Sequence, residues 1–136
     1  MPNFYKIDKE RRLVLSTISE TFSIEDAISH QQRLSEDLDF DPSFSHIVDF
    51  TQTTQFKVSG DDMRQFAQRS IFSRNSRRAL IIPKLADYGM GRIYESLRHL
   101  EGQEGTRVFR TLDEGLDWIF GKEASAPDSS TASRPD

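Results

Sequence analysis

Apolar positions along the chain change period several times, and each change marks an element. Residues 3–8 (NFYKID) and 11–19 (RRLVLSTIS) are short runs of aliphatic and aromatic residues flanking Lys9-Glu10, which reads as a strand hairpin. Lys-Glu is not a favoured pair for a two-residue turn, so the turn does not fix the register. From Ser23 the period lengthens, and Ile24, Ala27, Ile28, Leu34 and Leu38 recur on one helical face. Ser23 caps this helix with Asp26 three residues later, Phe22 is placed to staple onto Ala27, and Asp41-Pro42 ends the segment. Residues 45–51 (SHIVDFT) form the third strand, and the polar stretch 52–58 (QTTQFKV) reads as a loop. Ser59, Asp62, Val58 and Met63 repeat the cap-and-staple signature, with Met63, Phe66 and Ala67 as the buried face of a second helix. The unbroken apolar run at 77–83 (RRALIIP) predicts a strand covered on both faces. Met90, Ile93, Tyr94, Leu97 and Leu100 fall on one stripe of a third helix, opened by Gly89 and Gly91 and released by Gly102 and Gly105. Residues 106–110 (TRVFR) are the fifth strand. Thr111 and Glu114 then form a capping box, Leu112, Leu116, Ile119 and Phe120 line the last helix, and Gly121 stands at its C-cap.

The order is ββαβαβαβα. Alternating strands and helices predict an α/β fold: a five-stranded mixed, mostly parallel sheet with four helices and one antiparallel pair from the opening hairpin. One domain is expected over residues 1–121. Residues 122–136 (KEASAPDSSTASRPD) have no apolar periodicity and are expected to be a disordered tail. In such open sheets ligand chemistry collects at the carboxyl ends of the strands, here residues 49–59, 83–92 and 110–111.

Composition narrows the function classes. The chain has no cysteine, which excludes disulfides, thiol catalysis and thiolate metal sites. No long apolar segment suggests a signal peptide or membrane span, so a cytoplasmic location is expected. The net charge of −4 is uneven: residues 1–63 carry 6 Lys/Arg against 12 Asp/Glu, whereas residues 64–110 carry 10 against 4. The basic segment suits either an acidic partner or a solvated face paired with the acidic half. It lacks the aromatic interleaving of single-strand binders, so no nucleic-acid partner is expected.

Few motifs carry chemistry. Gly89-Met90-Gly91-Arg92 is not a dinucleotide fingerprint, because Tyr94 stands where a third small residue is needed. Two readings stay open: backbone N–H groups and Arg92 holding an anion at a helix start, or glycines admitting close packing. His30, His46 and His99 have no metal-ligand spacing and read as surface or cap histidines, so neither metal nor cofactor is expected. Asp49, ending a strand before Thr51, either accepts loop N–H groups or helps shape an anion site. Ser59 is an N-cap, with phosphorylation there opposed by Asp61 and Asp62. No paired acid and base or activated nucleophile is present, so no catalytic residue is assigned and no enzyme is expected.

The order of elements, VDFT closing the third strand, Ser59-Gly60 opening the next helix, RRALIIP followed by YGMGRIYESL, and VFRTLDEGLDWIF at the end together resemble the bacterial SpoIIAA-like family of the STAS/SEC14-like superfamily. The resemblance covers residues 4–120. It implies a non-enzymatic regulatory or protein-interaction module, since anti-anti-sigma relatives bind a kinase partner and are switched by serine phosphorylation at the position matching Ser59. The family's Asp-Ser-Ser-Gly is Lys57-Val58-Ser59-Gly60 here. SEC14-like cousins bind lipids, which implies the alternative of a small anionic or lipid-like ligand near Gly89, Gly91 and Arg92. For a protein partner the expected surface is residues 49–59 with Phe56, the second helix with Arg64, and the start of the third helix. A homodimer through Phe56 or Phe72 is a further expectation.

Overall fold

The computed structural model describes residues 3–102 and 105–121, so the expected tail at 122–136 lies outside the described residues. The elements are β1 (Asn3–Asp8), β2 (Leu13–Ser23), α1 (Ile24–Ser35), β3 (Ser45–Lys57), α2 (Gly60–Ala67), β4 (Arg78–Ile81), α3 (Leu85–Leu100), β5 (Thr106–Phe109) and α4 (Leu112–Phe120). The strands lie in chain order, with β1 antiparallel to β2 and every later pair parallel. This is the mixed, mostly parallel five-stranded sheet with four helices that the alternation of elements predicts.

The opening turn spans four residues rather than two. The Asp8 carboxylate accepts the Arg11 N–H at 3.1 Å, and Arg12 takes a left-handed φ of 54°. Three caps form as expected: Ser23 accepts from the Asp26 N–H, Ser59 and Asp62 make a reciprocal capping box, and so do Thr111 and Glu114. Gly121 closes α4 at φ 68°, a conformation that costs glycine little.

Side chains alternate across the sheet. Leu13, Ile47, Ala79 and Ile81 face α4 and pack with Ile119. Ile18, Val48, Phe50, Leu80, Ile82 and Val108 face the other way, where Tyr88 and Tyr94 of α3 cover part of them. β4 is therefore buried on both faces, which is why its sequence is unbroken apolar.

Three expectations need correction. The polar stretch 52–58 is mostly strand, because β3 pairs with β2 as far as Lys57 through two irregularities near Thr17–Thr21, where Glu20 has φ 64°. The long twisted ribbon gives those polar residues ladder partners, which overrides their loop-like composition. α1 stops at Ser35 and leaves Leu38 fully exposed, since the Asp37 carboxylate captures the Asp39 N–H in a turn before the proline is reached. α3 begins at Leu85, so Gly89 and Gly91 lie inside the helix, and Ile93 and Leu100 point outward. Among the described residues, no helix is long and apolar enough to cross a membrane.

Candidate functional site

The residues at the carboxyl edge of the sheet do not gather into one site. Asp49 shares a face with Ile47, away from α1–α3, and accepts the Thr51 N–H at 2.8 Å; Thr51 is exposed. Ser59 is exposed, with its hydroxyl 3.0 Å from the Asp62 N–H and its own N–H 3.1 Å from the Asp62 carboxylate. Arg64 pairs with Asp61 on the outer surface of α2. Arg92 is largely exposed and lies 3.7 Å from Glu95, a carboxylate that also accepts the Val108 N–H. Gly89 faces open space, whereas a Cβ on Gly91 would sit 2.6 Å from Ile82 Cδ1 and 3.2 Å from a Val108 methyl. Because α3 starts four residues earlier, the N–H groups of both glycines lie beyond its exposed first turn.

Between the sheet and α1–α3 lies a chamber of about 100 Å³. Ile18, Val48, Phe50, Leu80 and Ile82 form its floor, Ala27 and Leu34 one wall, and Met63, Phe66, Met90 and Gly91 the opposite one. Its two ends differ in chemistry. The β2–β3 ribbon carries Phe22 and Phe56 to the end near the strands' carboxyl termini, where their ring centroids lie 5.1 and 5.2 Å from that of Phe50 and 6.0 Å from each other. Phe56 and Gly91, and Phe72 from the expected dimer contact, are thus the sequence-derived candidates that reach the chamber.

The other end is polar. It is made by His46 near the start of β3, Arg78 at the start of β4, and His30 and Gln31 on the inner face of α1. His46 is 2% exposed, and both α1 residues are also buried. Ser16 Oγ lies 2.7 Å from His30 Nε2 and 2.7 Å from His46 Nε2. A hydroxyl has a single proton, so it donates to one ring and accepts from the other. Arg33 Nη2, which can only donate, faces His30 Nδ1 at 3.5 Å and makes that nitrogen the acceptor. His30 Nε2–H then donates to Ser16, Ser16 donates to His46 Nε2, and neutral His46 carries its proton on Nδ1. Burial, then Arg33 and Arg78, push the His30 pKa down to about 4. Burial, then Arg78 and His30, hold His46 well below the usual histidine range. Both rings are therefore neutral at pH 7.

Among the described residues, three buried donors on the residues lining this end have no protein partner, His46 Nδ1–H, Gln31 Nε2 and Arg78 Nε, and Arg33 Nε, behind His30, has none either. The Gln31 amide is oriented by Arg69, whose Nε donates to Gln31 Oε1 at 3.1 Å and leaves the NH₂ group inward. Arg78 lies over the Phe72 ring at 5.8 Å and approaches the Tyr94 hydroxyl at 3.4 Å. Phe72 also stacks on His46 with centroids 4.7 Å apart. Among the described residues, no carboxylate pairs with Arg78.

His30, Gln31, His46 and Arg78 were not singled out from the sequence. A signal was present for two of them: Ala27, His30, Gln31 and Leu34 follow i, i+3, i+4, i+7 spacing, which places both polar residues on the buried face of α1. Reading His30 and His46 as surface or cap histidines is thereby corrected. Among the described residues, no cluster of His, Asp and Glu could hold a metal ion.

No family model and no curated protein matches this chain. Among solved structures it is similar to an uncharacterized protein of the DUF3478 family with a SpoIIAA-like fold from Shewanella loihica PV-4. The two align at 15% identity over 86% of this chain and 93% of the other, with a TM-score of 0.56. At that identity the likeness speaks for the fold, in agreement with the element order and the sheet: the chain has a SpoIIAA-like α/β fold.

Proposed function

We propose that this protein is a non-enzymatic binding domain whose ligand is a small amphiphile held between the sheet and α1–α3. The observation that supports this is the chamber itself. An apolar hollow with a few polar groups collected at one end is the usual form of a small-molecule site. This keeps the class of an anionic or lipid-like ligand but moves it from the outer start of α3 to that helix's inner side. A one-to-one complex with an environment-sensitive naphthalene dye is expected. Ala27→Leu, which adds carbon atoms on the chamber wall, should abolish it. Absence of dye binding, or binding indifferent to Ala27→Leu, would count against the chamber.

A second reading, a regulatory module that contacts another protein chain, is supported by the outer face of α3. Leu85, Ile93 and Leu100 are 72%, 54% and 82% exposed there and lie along one stripe of the helix, about two turns apart. Sedimentation equilibrium of the protein and of an Ile93→Glu, Leu100→Glu variant tests whether this face binds a second copy. Capture from the native cell tests for other partners. A monomer whose captured partners are unchanged by both substitutions would end this reading.

A further inference from the structure

Resting on the chamber reading, we infer that the ligand is an amphiphilic carboxylate whose head sits among His46 Nδ1–H, the Gln31 NH₂ group and Arg78 Nε–H. The three groups come from β3, α1 and β4, yet all are donors, all are buried, and among the described residues all lack a protein acceptor. Leaving a buried donor unpaired is costly, so a site that collects three of them suits an acceptor-rich head. The proton chain from Arg33 through His30 and Ser16 is what turns His46 Nδ1 into a donor instead of an acceptor.

Charge selects among acceptors. Both histidines are neutral, and among the described residues no Asp or Glu lines the chamber and Arg78 is the one guanidinium that does. Arg78 offers the head a single guanidinium edge, which a monoanion fills, while Arg33 and Arg69 stand one side chain further back, behind His30 and Gln31. A planar carboxylate also suits a guanidinium edge. Behind the head, the β3 floor from His46 to Phe50 runs about 13 Å at the usual rise per strand residue, and the chamber of about 100 Å³ encloses the first carbons of a hydrocarbon that continues along this floor through its open side.

The test is calorimetric titration of the full chain at pH 7.5. The ligands are hexanoate, octanoate and decanoate, the alcohols and amines of the same lengths, and octyl phosphate. The carboxylate of best-fitting length is expected to bind about tenfold or more tighter than its alcohol, and the amine not to bind. Arg78→Met should bring the carboxylate down to the alcohol's affinity and leave the alcohol unchanged. Gln31→Leu should weaken the carboxylate severalfold and serves if the Arg78 variant does not fold. If alcohol and carboxylate bind equally, or octyl phosphate binds tightest, the head assignment falls and the chamber stands. If no compound of any head binds, the chamber reading falls with it.

Discussion

Gly89 and Gly91 are two residues apart in the same helix, and the structure predicts opposite responses to the same substitution. Gly89→Ala adds a methyl group into open space and removes the helix-interior penalty of glycine, so it should stabilise the protein by about 1 kcal/mol. For a domain of this size that is roughly a 4 °C rise in Tm. Gly91→Ala gains the same propensity, but its Cβ meets Ile82 Cδ1 at 2.6 Å and Val108 methyls at 3.2 and 3.3 Å. Inserting a methylene into a packed core costs about 1–3 kcal/mol. The net effect should lie between no change and about 2 kcal/mol of destabilisation. Ile82 Cδ1 ends a flexible side chain that lines the chamber, so part of the strain is relieved by swinging it into the hollow. Ile82→Val deletes that carbon. Combined with Gly91→Ala it should show a favourable coupling of roughly 0.5–3 kcal/mol. Urea denaturation of the three single variants and the double variant measures all of this. A Gly91→Ala that stabilises as much as Gly89→Ala, or a double variant that is simply additive, would refute the close packing of α3 on β4 and β5.

Other consequences follow from the same geometry. His30 is neutral in the fold, with its pKa depressed from 6.5 to about 4, so the unfolded state binds the extra proton first. Stability should be full above pH 6.5 and fall as the pH drops toward 4, by about 3 kcal/mol at most from this residue. Asp8, Asp37 and Asp41, held below the ordinary carboxylate range, titrate beneath that window. His46, also held neutral by burial, adds to the same slope, so denaturation midpoints between pH 6.5 and 4.5 should lose part of their pH dependence in His30→Gln and keep the part due to His46; an unchanged slope would contradict a buried neutral His30. Arg92→Ala should change stability by no more than about 1 kcal/mol, because the Arg92 side chain is largely exposed and its contact with Glu95 is long at 3.7 Å, and should leave ligand affinity unaltered; a lost ligand would return the site to the outer start of α3. Ser59→Ala should cost about 1 kcal/mol through loss of the α2 cap, and a variant as stable as the parent would mean the capping box contributes nothing.

Local signals carried most of the fold. Ser23, Ser59 and Thr111 each start a helix where a side-chain oxygen three residues before a free N–H predicts it, and Gly121 stops one. The apolar run of β4 announced a strand buried on both faces. Where the reading failed, a tertiary partner was the missing information. Residues 52–57 are strand because β2 lies alongside them, and nothing in their polar composition encodes that neighbour. The site was harder still. Gln31 and His30 betray themselves by helical spacing, but Ser16, His46 and Arg78 come from three strands, and only the sheet's register brings Arg78 opposite His46. A glycine pair in a helix looks the same in sequence whether it opens a phosphate loop or admits an isoleucine methyl.

The alternation of side chains across β3 and β4 also supplies the most direct test of the account. Ile82 and Leu80 face the chamber, whereas Ile81 and Ile47 face α4. In a sample with labelled isoleucine, leucine and valine methyl groups, addition of octanoate should shift Ile18, Val48, Leu80 and Ile82 and leave Ile47 and Ile81 close to their free positions. Shifts confined to the outer face of α3, at Leu85, Ile93 and Leu100, or shared equally by both faces of the sheet, would contradict a ligand held between the sheet and α1–α3.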